Sequence, residues 1–64
     1  MIIVNGNEKE FYSTNLKNFL TDCGFSINLV ACELNGHIIP KAQYENTLVN
    51  DGDTIEVVSF VGGG

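Results

Sequence analysis

The sequence ends in three glycines, Gly62 to Gly64, which directly follow the strand-like run "TIEVVSFV". A terminal carboxylate has a pKa of about 3.3–3.7, so that of Gly64 is expected to be ionised at neutral pH. An ionised carboxylate is a poor acyl donor, but it can attack the α-phosphate of ATP to form an acyl-adenylate. The acyl group can then pass to a sulfur or nitrogen nucleophile. The competing interpretation is a frayed, inert chain end.

The other two glycines suit the delivery of that carboxylate to a partner. Three extended residues span about 10 Å, at ~3.3–3.6 Å each. Without Cβ atoms, Gly62 and Gly63 can pass through a channel too narrow for other residues. We therefore expect a folded domain over residues 1–61 and a flexible tail over residues 62–64.

The rest of the sequence contains no recognisable reaction centre. His37 is the single histidine, follows a turn glycine and has no identifiable partner for general base catalysis. The acidic pair in "DGD" at 51–53 is too small for a calcium loop and indicates a turn. Cys23 and Cys32 form no CxxC motif and are expected to be small buried hydrophobes. The sequence thus favours a carrier or substrate over an enzyme, with no bound cofactor or metal.

Composition limits the partners and the compartment. Three lysines, no arginine and eight acidic residues give a net charge of −5, which disfavours nucleic-acid binding. No apolar run approaches the ~20 residues of a membrane span. The N-terminus lacks the basic segment of a secretory signal, so we expect a cytoplasmic location.

One amphipathic helix is well defined by its spacing. Leu16, Phe19, Leu20 and Cys23 recur at i, i+3, i+4 and i+7. Thr14 or Asn15 can cap its start, and Gly24 can end it. This pattern predicts a helix of about ten residues with one buried face.

The remaining segments favour strands. Asn5-Gly6 predicts a hairpin between "MIIV" and "NEKEFYS", Asn35-Gly36 a turn after "INLVACEL", and Asp51-Gly52 a turn before the last strand. Pro40 fits the first position of a helical turn that folds Tyr44 onto the core. The order predicts an α+β fold of β-grasp type, with a mixed four- to five-stranded sheet and the helix packed across it. The last strand is expected to pair beside the first.

The last strand separates into two faces by its period of two. If Ile55 and Val57 face the helix, Val58 and Phe60 lie on the outer face, just before the glycines. An apolar pair in that position is a candidate docking surface for a partner. Ala31 would extend this surface if its strand were the neighbour.

The whole chain resembles the ThiS-type sulfur carriers of thiamine biosynthesis, which are ubiquitin-like proteins. The resemblance lies in "VACELNGHIIPK", in Tyr44 and in "DGDTIEVVSFVGGG", together with the total length. The final glycines are shared by ubiquitin-like sulfur carriers in general. The stretches around them are similar to the thiamine branch in particular.

This resemblance implies a mechanism and a set of partners. A ThiF-type adenylating enzyme would use ATP and Mg²⁺ to activate Gly64. Sulfur from a cysteine desulfurase route would convert the adenylate to a thiocarboxylate, and thiazole synthase would accept the sulfur.

Three other interpretations remain open from the sequence. The first is the sulfur carrier of molybdopterin synthesis, which is similar in fold and tail. The second is a ubiquitin-like modifier joined to lysines of target proteins. The third is a β-grasp interaction module whose tail is inert.

Overall fold

The computed structural model describes residues 1–60. It contains one α-helix, two short 3₁₀ helices and five strands within that range. The strands are β1 (Ile2–Val4), β2 (Asn7–Lys9), β3 (Val30–Leu34), β4 (His37–Ile39) and β5 (Thr54–Ser59). The α-helix, α1 (Leu16–Asp22), follows β2, and the 3₁₀ helices are Ile27–Leu29 and Lys41–Asn46.

The five strands form one mixed sheet in the order β2-β1-β5-β3-β4. The central β1–β5 pair is parallel, and the other three pairs are antiparallel. The last strand therefore lies beside the first, as the sequence predicted. This arrangement places β5 in the middle of the sheet, between β1 from the start of the chain and β3 from its middle.

Two Asn-Gly turns close the two hairpins. Asn5 and Gly6 have φ values of 50° and 84°, and Asn35 and Gly36 have 52° and 85°. Positive φ at both central residues is the type I′ geometry, whose twist matches that of paired strands. The first hairpin is shorter than "NEKEFYS" suggested, because β2 can pair only along the three residues of β1.

The helix is capped at both ends by the predicted residues. The Asn15 side chain accepts a hydrogen bond from the Asn18 amide at 2.8 Å. At the other end the Gly24 amide donates to Thr21 and the Phe25 amide to Leu20, which is the Schellman arrangement around a left-handed glycine. These caps limit the regular helix to seven residues, three fewer than expected.

The core lies between α1 and one face of the sheet. Its fully buried members include helix, strand and 3₁₀ residues, among them Leu16, Phe19, Leu20, Ile2, Ile55, Cys32 and Tyr44. The prediction that Tyr44 folds onto the core is thus confirmed. Pro40 precedes the 3₁₀ helix as its N-cap, with an extended ψ of 143°, and does not occupy the first helical position. None of the helices within residues 1–60 has the length and hydropathy needed to cross a membrane.

Two strands are shorter than the apolar runs suggested. "INLVACEL" begins with a 3₁₀ turn at Ile27–Leu29, closed by the Leu29 amide donating to the Ser26 carbonyl, so β3 starts at Val30. Regular β5 ends at Ser59. The start of β3 and the end of β5 therefore lie side by side at the edge of the sheet that precedes the glycines in sequence.

Candidate functional site

The predicted sulfur-carrying residue lies outside the described part of the chain. Gly64 and the tail residues Gly62 and Gly63 follow residue 60, and so does the predicted boundary between the domain and the tail. Their roles therefore stay predictions. The described structure instead defines the surface from which this segment departs, at the end of β5.

The two faces of β5 differ as the alternation predicted. Ile55 and Val57 are 0% and 8% exposed and join the core beneath α1. Val58 and Phe60 are 63% and 64% exposed. The predicted face assignment is confirmed, and two large apolar side chains lie in solvent immediately before the terminal residues.

The neighbouring strands enlarge this surface. Ala31 of β3 lies directly opposite Val58, so β3 is the neighbouring strand that the extension through Ala31 required. Ile38 of β4 is 74% exposed, and with Ala31 and Val58 it lines an open depression of about 100 Å³. We call Ala31, Ile38, Val58 and Phe60 the outer patch.

Two glutamates border the outer patch and were not identified as site residues from the sequence. Glu33 lies directly opposite Glu56 on the neighbouring strand, and both line the depression. Glu33 also lies opposite Ile38 across the β3–β4 hairpin. The Asn35-Gly36 signal could have placed Ile38 beside Glu33, since a two-residue turn determines hairpin register. Nothing local pairs Glu33 with Glu56, because their pairing crosses the fold.

Hydrogen bonds from both turns hold β5 in position. The Asn5 carboxamide accepts from the Val57 amide at 2.8 Å and donates to its carbonyl at 3.2 Å. It thus continues the β1–β5 ladder one step beyond the end of β1. On the other side, the Asn35 carboxamide accepts from the Thr54 amide at 2.9 Å.

The buried carboxylate of Asp53 completes this support. It accepts a hydrogen bond from the Asn35 carboxamide at 3.0 Å and one from the Asn50 amide at 2.7 Å. Asp51 pairs with the N-terminal ammonium group, and Gly52 has φ 92°. The interpretation of "DGD" as a turn is confirmed. Within residues 1–60 no three His, Cys, Asp or Glu side chains cluster in a way that could hold a metal ion.

The two cysteines are not members of the outer patch, although Cys32 is among the residues that line its depression. Cys32 is buried beneath the helix, and burial raises the pKa of its thiol to about 11. Cys23 at the end of α1 is half-buried, so the expectation of burial is met only in part there; desolvation also raises its pKa. A raised pKa lowers the fraction of reactive thiolate, so neither thiol is activated as a nucleophile.

Comparison with known proteins identifies the family of the chain. The sequence model of the ThiS family matches residues 2–64. A thiazole synthase from Paramagnetospirillum magneticum is 41% identical in an alignment 64 positions long, which covers 98% of this chain and 20% of that protein. The chain therefore spans one fifth of that relative. The ycf40 protein of Trieres chinensis is 36% identical over 61 residues, covering 91% of this chain and 84% of that protein.

A solved structure has a similar fold. The crystal structure of the thiamine biosynthesis protein ThiS from Geobacter metallireducens superposes with a TM-score of 0.82 at 31% identity. The match covers 98% of this chain and 97% of that protein. The expected β-grasp fold and the resemblance to ThiS-type carriers are both confirmed.

Proposed function

Because the chain belongs to the ThiS family, we propose that it is a sulfur carrier of thiamine biosynthesis and that the Gly64 carboxylate bears the sulfur. The observation that carries this proposal is the family match through residue 64, which includes the three glycines. The chain acts as a co-substrate of partner enzymes in the cytoplasm. ATP and Mg²⁺ are used by the adenylating partner.

The chemistry at Gly64 proceeds in two stages. A carboxylate oxygen attacks the α-phosphate of ATP, and pyrophosphate leaves. A persulfide sulfur, derived from a cysteine desulfurase route, then attacks the acyl carbon and displaces AMP. A second thiol then attacks the cysteine sulfur of this acyl disulfide and forms a disulfide with that cysteine, which breaks the original sulfur–sulfur bond and leaves the thiocarboxylate on Gly64.

Two features of this chain support the choice of partners. A segment similar to the whole chain forms part of a longer protein named thiazole synthase, which supports thiazole synthase as the sulfur acceptor. The outer patch lies next to the segment that leads to Gly64, which suits docking to a ThiF-type adenylating enzyme. Exposed apolar groups beside a functional segment are typical of partner surfaces. In this arrangement Val58 and Phe60 dock, while Gly62 and Gly63 thread the carboxylate into the enzyme.

The first experiment locates the modification. The protein is isolated with its partner enzymes present, its thiol groups are alkylated, and the C-terminal peptide is fragmented in a mass spectrometer. We expect sulfur on the Gly64 carboxylate. Fragmentation is needed because replacing oxygen by sulfur changes the mass almost as much as oxidising Met1.

A matched control separates the chemistry from the fold. A variant with one alanine added after Gly64 retains the folded domain but moves the carboxylate to a different residue. It should form no adenylate with the ThiF-type enzyme. Thiocarboxylate on this extended variant, or Gly64 found joined to lysines of other proteins, contradicts the carrier mechanism.

A second experiment tests the docking role of the outer patch. Phe60→Asp should raise the KM of the adenylating enzyme for the carrier and leave the melting temperature nearly unchanged, because Phe60 is 64% exposed. Leu48→Asp is the control: Leu48 is 67% exposed but bridges to Asn15 at the start of α1. Equal KM values for the two variants would show that Phe60 does not belong to the docking surface.

A further inference from the structure

The outer face of the sheet carries negative charge without positive charge. Glu33 and Glu56 lie on this face, and Glu8 joins them because it lies opposite Ile3, the outward-facing residue of β1. The three lysines of the chain lie elsewhere. Lys9 lies opposite the buried Ile2 on the helix side, Lys17 is on α1, and Lys41 is in the second 3₁₀ helix.

The pairing of Glu33 with Glu56 is unfavourable in the free protein. Like charges directly opposite each other on neighbouring strands destabilise a sheet. The fold does not offset them with a salt bridge: within residues 1–60 the only ion pair joins the N-terminal ammonium group to Asp51. Both side chains are exposed, so water screens the repulsion.

This screening is lost when the outer patch is covered. The two glutamates line the same depression as Ala31, Ile38 and Val58. A partner that removes these apolar side chains from water must therefore also desolvate the two carboxylates. Burying two adjacent carboxylates without a compensating cation is strongly unfavourable.

We infer that the surface that covers the outer patch is an apolar surface of the adenylating enzyme that places an arginine or lysine between Glu33 and Glu56. The inference rests on the proposed function and specifies the chemistry of its partner. An arginine is favoured, because its planar guanidinium group can bond two carboxylates while its stem packs on Ile38 and Val58. A second copy of this chain would place the same glutamates against each other, and a nucleic acid would add further negative charge.

The test uses the double variant E33Q/E56Q, which keeps the shape of both side chains and removes both charges. Its affinity for the ThiF-type enzyme should fall roughly tenfold or more at low salt. The affinity of the wild-type protein should weaken as NaCl is raised, and that of the double variant should respond much less. The urea midpoint of the free variant should be equal to or higher than that of the wild type, since a repulsion has been removed.

The control is E45Q, which removes one charge from the helix side of the molecule, where Glu45 lines a cleft with Lys17 and Lys41. It should leave the affinity and its salt dependence unchanged. Equal affinity and equal salt dependence for E33Q/E56Q and the wild type would overturn the inference. So would an equal loss in E45Q, which would indicate a general effect of net charge.

The inference and the proposed function fail separately. An unmodified Gly64, in a complex whose affinity depends on Glu33 and Glu56, overturns the carrier mechanism and leaves the inference standing. Normal adenylation of Gly64, with unchanged affinity in the double variant, overturns the inference and leaves the carrier mechanism standing.

Discussion

The two faces of β5 belong to one short strand but differ in burial and in function. On the helix side, Ile55 and Val57 are removed from water, which stabilises the fold by about 1.5–3 kcal/mol for each fully buried side chain. On the outer side, Val58 and Phe60, which directly follows the strand, stay exposed and contribute little to folding. Apolar residues on the outer face are therefore free to serve binding, because folding does not depend on them.

The largest expected effect is on the free energy of unfolding, which should depend on the helix side of the sheet and not on its outer face. Leu20→Ala removes a fully buried side chain of α1 and should lower the free energy of unfolding by about 2–5 kcal/mol. A 64-residue domain has roughly 3–10 kcal/mol in total, so this variant should be close to unfolding. Circular dichroism during urea unfolding measures the change.

The matched variant on the outer face is Ile38→Ala, which truncates a side chain that is 74% exposed. Its free energy of unfolding should change by no more than about 0.5 kcal/mol. A loss comparable to that of Leu20→Ala would show that the outer patch belongs to the core, and the comparison of faces would fail.

An intermediate effect concerns the side-chain hydrogen bonds that hold β5 in register. Asn35→Gly keeps the positive φ of the turn accessible but removes the bonds to the Thr54 amide and to buried Asp53. We expect a loss of about 1–3 kcal/mol, because Asp53 loses one of its two donors. Chemical denaturation provides the measurement.

Asn5→Gly is the comparison for that variant, since Asn5 has nearly the same φ and bonds the opposite edge of β5. It should cost less, because it removes hydrogen bonds to backbone groups, whereas Asn35→Gly removes a donor from the charged carboxylate of Asp53. Asn35→Ala should cost more than Asn35→Gly by about 1 kcal/mol, owing to the left-handed φ. Equal free energies of unfolding for the two Asn35 variants would show that the positive φ at this position does not affect stability.

The smallest effect is chemical and leaves stability unchanged. Cys32 faces the helix side with a thiol pKa of about 11, so about one thiol in a thousand is ionised at pH 8. Iodoacetamide should therefore modify Cys32 very slowly at pH 8 and faster as the pH rises. Half-buried Cys23 should be modified before Cys32.

A thiol introduced on the outer face provides the comparison for the alkylation rate of Cys32. In Val58→Cys the new thiol lies at a position that is 63% exposed, and it should be alkylated well before Cys32. Peptide mapping assigns each modified site. Faster alkylation of Cys32 than of the new thiol would place Cys32 outside the core and reverse the two faces.

The sequence alone determined the features that depend on neighbouring residues. The spacing of Leu16, Phe19 and Leu20 identified the buried face of α1, and Gly24 identified its end. The period of two along β5 separated Ile55 and Val57 from the outward-facing residues. These predictions succeeded because helix periodicity, strand alternation and turn conformation are set by local backbone geometry.

Only the tertiary structure decided the register in which strands far apart in the chain meet. The sheet order brings Glu33 opposite Glu56 and adds Ile38 to the surface formed by Val58 and Phe60. It also places Asn5 and Asn35 on opposite sides of β5, where each side chain bonds its backbone. Such contacts join residues far apart in the chain, and burial of the whole core beneath α1, rather than any local preference, selects the register that forms them.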